Sequence, residues 1–181
     1  MTPYISLLRG INVSGQKKIL MKDLKTLYED LGYEEVLTYI QSGNVIFKTH
    51  PTIASQLEAK IAKAIHNAYG FNVPVLVKSK AALQELMDAM PFALSPEALD
   101  KKLYYTLLAS SPEPVLLVPI LAQQNKAEQI QFAHDTLYFY CPNGYGRTKL
   151  NNNFFESKLK VKATTRNHRT MIKLLELSAS V

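Results

Sequence analysis

The chain carries one cysteine, Cys141, in 181 residues. A single thiol excludes an internal disulfide, and no Cys/His cluster has the spacing of a zinc site. The four histidines, His50, His66, His134 and His168, also lack metal-ligand spacing. No run approaches the roughly 18 apolar residues of a membrane span. The opening MTPYISLLRGINVSG has no basic region before its apolar stretch, which ends at Arg9. It predicts a strand and not a signal peptide. No carboxylate pair stands out as acid and base. These absences predict a cytoplasmic protein without a metal, a cofactor or a membrane partner, and they name no reaction.

What is present is ordinary for a soluble globular protein: 47% apolar and 20% charged residues. The length fits one domain or two small ones of about 80–100 residues each. The net charge of +6 is unevenly placed. Residues 1–140 are balanced, whereas residues 141–181 hold eight Lys/Arg against two acids. The whole excess lies in that last stretch. A local basic field attracts phosphates, nucleic acid or an acidic partner, and it is also what a solvated helical face looks like.

The chain order predicts two related halves. YISLLR (4–9) is a strand. MKDLKTLYEDL (21–31) places Met21, Leu24, Leu27, Tyr28 and Leu31 on one helical stripe. EVLTYIQ (35–41) and NVIFKT (44–49) form a hairpin around Ser42-Gly43. Residues 53–69 are a second amphipathic helix, and VPVLVKS (73–79) is a strand. The order β-α-β-β-α-β is the ferredoxin-like split unit. AALQELMDAM (81–90) is a helix, and the Pro-containing stretch 91–102 is the best boundary. The pattern then partly repeats, with a strand at 103–110, two strands around a turn at His134-Asp135 within 128–141, and helices at 112–124, 148–159 and 166–177. The fold class expected is α+β, with two ferredoxin-like subdomains, the second incomplete, plus a C-terminal helix. The expected divisions are 1–80, a helix and linker at 81–102, and 103–181.

Four stretches, RGINVSG (9–15), TYIQSGNVIF (38–47), GYGRTKL (144–150) and TTRNHRT (164–170), resemble the domain of unknown function family 1697. Its members are uncharacterised bacterial proteins with these motifs in this order. The resemblance implies two ferredoxin-like subdomains and no established activity. Ser14 stands where the family loop usually has glycine, and His168 where it usually has tryptophan.

Each motif offers a candidate site beside a plainer reading. Gly10 and Gly15 have the spacing of a nucleoside-triphosphate loop. That loop needs lysine directly after the second glycine and then a hydroxyl. Here Gln16, Lys17, Lys18 and Ile19 follow, and a hairpin replaces the parallel strand. A looser anion site remains, with Arg9, Asn12 and Ser14. Gln41, Ser42 and Asn44 either wall a pocket or bond their own turn. Arg147 and Lys149 follow a glycine pair and lead into a helix, where unpaired N–H groups suit a phosphate. Thr164 or Thr165 is a candidate N-cap, which puts Arg166, Asn167, His168 and Arg169 in a first turn that prefers acids. A bound anion would offset that cost, as would a carboxylate pairing with Arg166.

The leading expectation is a binding protein for an anionic, phosphate-bearing small molecule or nucleotide. Its cleft would be lined by the RGINVSG loop and the TTRN helix start. A nucleic-acid module using the basic end and the tyrosines of the second half (Tyr104, Tyr105, Tyr138, Tyr140) is the second reading. An enzyme acting on a phosphorylated substrate is the third, with Glu34, Glu35 or His168 as acid or base. Cys141 is expected to be buried or idle.

Overall fold

A computed structural model describes residues 1–122 and 128–181, with Arg147 in its backbone only. The chain divides into two compact units, residues 1–84 with 173–181, and residues 85–172.

The first unit contains β1 (Thr2–Leu8), α1 (Met21–Asp30), β2 (Glu34–Tyr39), β3 (Asn44–Thr49), α2 (Ala54–Tyr69) and β4 (Val75–Ser79). The strands form an antiparallel sheet in the order β2-β3-β1-β4, the ferredoxin-like arrangement. Strand alternation sends Tyr4 and Leu8 to the helix-covered face, where Leu24 and Tyr28 of α1 and Leu57, Ile61 and Ile65 of α2 meet them. Each such apolar side chain contributes roughly 1.5–3 kcal/mol through burial. Ser6 points the same way and is tolerated there because its hydroxyl bonds Tyr28 Oη at 2.7 Å.

α3 (Lys80–Asp88) crosses from one unit to the next. The second unit continues with α4 (Pro96–Lys102), β5 (Leu103–Leu108), α5 (Pro114–Leu121), β6 (Gln129–Ala133), β7 (Thr136–Tyr140), a 3-10 turn (Tyr145–Arg147), α6 (Asn152–Leu159) and β8 (Ala163–Asn167). α7 (His168–Ala179) then runs back into the first unit. The second sheet has the order β6-β7-β5-β8, the same plan as the first. Leu108, Leu137, Phe139 and Ala163 of this sheet pack with Leu117, Ile120, Phe155 and Leu159 from α5 and α6.

The two-unit α+β architecture with a closing helix is as the sequence predicts. Two elements differ. The second copy is complete, because Ala163–Asn167 supplies its fourth strand beside β5. Thr164 and Thr165 there act as β-branched strand residues and not as helix caps. The stretch 91–102 also contains a helix: Ser95 Oγ accepts from Ala98 N–H at 3.3 Å, and Pro96 stands where a helix needs no N–H. Pro96 is thus a helix start, not part of a linker. Gln123 and Gln124, expected in the preceding helical stretch, lie outside the described residues.

Candidate functional site

In the first unit, two motifs meet. Leu8 N–H donates to Gly43 O at 2.8 Å and Arg9 N–H to Pro74 O at 3.0 Å, so the chain leaves the sheet between β3 and β4. It then makes a miniature hairpin. Asn12 N–H donates to Lys17 O at 3.2 Å and Gln16 N–H to Val13 O at 2.9 Å. Ser14 and Gly15 form the turn with φ of 48° and 74°, as a type I′ turn requires. A left-handed position explains why glycine would suit the place of Ser14. The N–H groups of Asn12 and Gln16, which a phosphate cradle would aim outward, are here used by the hairpin itself.

Asn12 pins this hairpin. Its Nδ2 donates to Ile19 O at 2.9 Å and to Gln41 O at 3.0 Å, while its Oδ1 accepts from Ile19 N–H at 2.9 Å. Both amide hydrogens that the sequence reserves for a ligand are thus occupied. Asn44 is fully buried and donates to Tyr39 O at 2.9 Å and Ser42 Oγ at 3.1 Å. It serves the turn and presents no surface to a pocket, so the plainer sequence reading holds for this residue. Gln41 and Ser14 are exposed, and Arg9 and Ser42 are half-buried.

In the second unit, TTRN is the end of a strand, not the start of a helix. Asn167 caps α7: its Oδ1 accepts from Thr170 N–H at 2.9 Å. The dipole argument therefore applies to His168 and Arg169 alone, and Arg166 is a strand residue opposite Tyr105. GYGR is likewise separated from its helix. α6 begins at Asn152, capped by Asn151 Oδ1 accepting from Phe154 N–H at 3.1 Å. The anion site expected at that helix start does not coincide with the glycine pair. Lys149 and Arg169 are exposed, and the side chain of Arg147 lies outside the described residues.

Thr165 instead centres a polar network. Its hydroxyl donates to Asn152 Oδ1 at 2.6 Å, and it lies 2.8 Å from Thr106 Oγ1 and 3.3 Å from Tyr145 Oη. The other face of β5 carries Tyr105, whose Oη is 2.8 Å from His168 Nδ1, with the rings stacked at 5.8 Å. The sequence did not single out Thr106, Tyr145 or Asn152. For Thr106 the signal was pairing, because a strand at 163–167 beside LYYTLL sets it against Thr165; Tyr145 and Asn152 lie outside the strands and had no such signal.

The electrostatics are those of a dense site. Burial pushes Arg166 down to about 10, while its Nη1 donates to Thr165 O at 2.9 Å. Burial also lowers His168, partly offset by the Asp100 carboxylate, so its imidazole is neutral at neutral pH. Burial raises Tyr105, with a further rise from Tyr138, and raises Tyr138 to about 12. Cys141 is buried, donates to Glu128 Oε1 at 3.5 Å, and is pushed up to about 11, first by burial. Such a thiol is not a nucleophile at neutral pH. Among the described residues, no three of His, Cys, Asp and Glu assemble as a metal site, and no helix is long and apolar enough to cross a membrane. A groove of about 650 Å³ between α1 and α2, lined in part by Asp23, Asp30 and Tyr69, touches none of the motif residues.

Two four-stranded antiparallel sheets, each in a β-α-β-β-α-β unit, define an α+β protein of the doubled ferredoxin-like kind. The family described as "Protein of unknown function (DUF1697)" matches residues 1–138, and the chain belongs to that family. RGINVSG and TYIQSGNVIF lie inside the matched stretch, and GYGRTKL and TTRNHRT lie beyond it. Among solved structures, the chain is similar to the conserved bacterial protein SP0830 from Streptococcus pneumoniae. The two are 22% identical with a TM-score of 0.77, over 98% of each chain. At that identity the likeness is one of fold. No curated protein matches the chain.

Proposed function

We propose that this protein binds an anionic, phosphate-bearing small molecule or nucleotide, with Arg166 of the second unit as its principal charge. The observation that carries this reading is the state of that guanidinium. It keeps part of its surface accessible while its surroundings are dense enough to push it down to about 10. In such surroundings a charge acts through a lower dielectric, and an anion gains more from it than from an exposed lysine. Thr165, Asn167 and Arg169 flank it along the chain, and the basic excess of residues 141–181 favours approach by anions. The single buried thiol fits a cytoplasmic setting.

Tyr105, Tyr138 and Phe139 are fully buried. They offer no ring on which a base could stack, which leaves the nucleic-acid reading the half-buried Tyr104 and Tyr140 alone. The test is a thermal-shift series with inorganic phosphate, nucleotides and phosphosugars. A ligand of the native state raises the melting temperature, by mass action. The shift should shrink in Arg166→Ala. A melting temperature unmoved by every phosphate compound removes this reading.

A further inference from the structure

We propose that the loop end of the first unit docks on an anionic lipid surface. The strongest sign is a set of large aliphatic side chains exposed where local chemistry favours polar residues. Leu20 is 70% exposed and occupies the N-cap position of α1, where Ser, Thr, Asp or Asn would bond the free N–H groups. Ile40 is 49% exposed and holds φ at 50°. A β-branched residue in the left-handed region is strained, and Asn or Gly would relieve it. Val13, 58% exposed, flanks the I′ turn.

These three form one patch. Asn12 bonds Ile19 on one side and Gln41 on the other, and Val13, Leu20 and Ile40 are the chain neighbours of those three residues. Ile53 is also exposed at an N-cap, but it adjoins Thr52, which binds Tyr4 near the opposite end of β1. Around the patch basic groups outnumber acids, the nearest acid being the exposed Asp23 in the first turn of α1. Residues 1–22 contain Arg9, Lys17, Lys18 and Lys22 and no acid. Lys18 and Lys22 are exposed, and Lys17 Nζ is tied to Asn72 O at 2.6 Å.

Exposed aliphatic tips on chain segments that carry a net basic charge suit an anionic bilayer. The tips enter the headgroup boundary and the ammonium groups meet phosphates. A protein partner would favour aromatic and arginine anchors, and lysine is depleted at such interfaces. A small soluble metabolite has no use for three exposed aliphatic residues. The proposed contact is peripheral, and it departs from the sequence expectation of no membrane partner. It stands independently of the small-molecule reading.

The test is co-sedimentation of the full chain with vesicles of phosphatidylcholine alone and with about one third phosphatidylserine. Retention is expected only on the anionic vesicles and should fall as salt is raised. Lys18→Gln and Lys22→Gln should each weaken it about fivefold. Leu20→Ser and Ile40→Asn should abolish most of it while melting at or above the wild-type temperature, because each satisfies the local backbone better. No retention on anionic vesicles, or full retention by both Leu20→Ser and Ile40→Asn, overturns the proposal. A protein that sediments yet shows no thermal shift with any soluble phosphate keeps this inference and loses the small-molecule one. The converse pattern does the reverse.

Discussion

Asn12 and Gln41, 29 residues apart in the chain, are joined by a hydrogen bond from Asn12 Nδ2 to the Gln41 carbonyl at 3.0 Å. The bond ties the first two family motifs into one structure. Asn12→Ala removes it together with both bonds to Ile19, and places alanine at a φ of 55° that asparagine tolerates better. Each bond contributes about 1 kcal/mol net, so a loss of about 2–3 kcal/mol is expected. The urea midpoint measures it. An unchanged midpoint would return Asn12 to the list of ligand-orienting residues.

Gly43 belongs to the same junction. A Cβ there would stand 2.7 Å from Ile11 Cδ1 and 2.8 Å from Leu8 Cβ, at a φ of 76°. Leu8 Cβ cannot yield without moving β1, so Gly43→Ala combines a clash with backbone strain. A loss above about 2 kcal/mol is expected. Gly15→Ala is the control: its φ is 74° but nothing lies within 4 Å, so only strain of about 1 kcal/mol applies. Equal losses in the two variants would show that Ile11 and Leu8 do not crowd the turn.

Tyr33 carries a cost without a return. Its hydroxyl is buried and has no hydrogen-bond partner among the described residues. Its ring stacks on Phe47 at 4.5 Å, and Lys60 Nζ lies 5.0 Å above it. Tyr33→Phe keeps those ring contacts and removes the orphaned group. Stability should rise by about 1 kcal/mol, read from a thermal or urea melt. A drop would mean that the hydroxyl has found a partner, such as a bound water.

Why some of this is legible in the sequence is visible at particular residues. Leu24, Leu57 and Ile61 recur at helical spacing, so burial makes their elements readable from one-dimensional pattern. TTRN was not readable, because Thr and Asn before an apolar run signal a helix start as well as a strand end. The deciding fact is a partner: Thr165 sits opposite Thr106, 59 residues away. The same holds for the RGINVSG loop. Its glycine spacing suggests a phosphate cradle, but its backbone bonds depend on Lys17 and its side-chain pin on Gln41. Pairing partners distant in sequence decide both cases, and local propensity carries no information about them.

His168 gives the fold a pH dependence of definite sign. Burial lowers its pKa below the ordinary 6.5, with Asp100 opposing as the smaller effect. As pH falls, the unfolded chain takes up the imidazole proton before the folded one does. The stabilising contribution is therefore complete above the ordinary histidine pKa and is lost as pH falls through it and on toward the folded value. The hydrogen bond adds a reason. Tyr105 is raised by burial and stays a phenol; in the tautomer that leaves Nδ1 unprotonated it donates to that nitrogen at 2.8 Å, and it loses that acceptor when the ring is charged. Wild-type stability should fall between about pH 7.5 and about pH 5.5. His168→Gln cannot titrate, so its stability should change less over the same interval. Urea melts of both proteins at the two pH values give the comparison. Identical changes in the two would show that His168 titrates alike folded and unfolded, and that the Tyr105 contact does not depend on its charge.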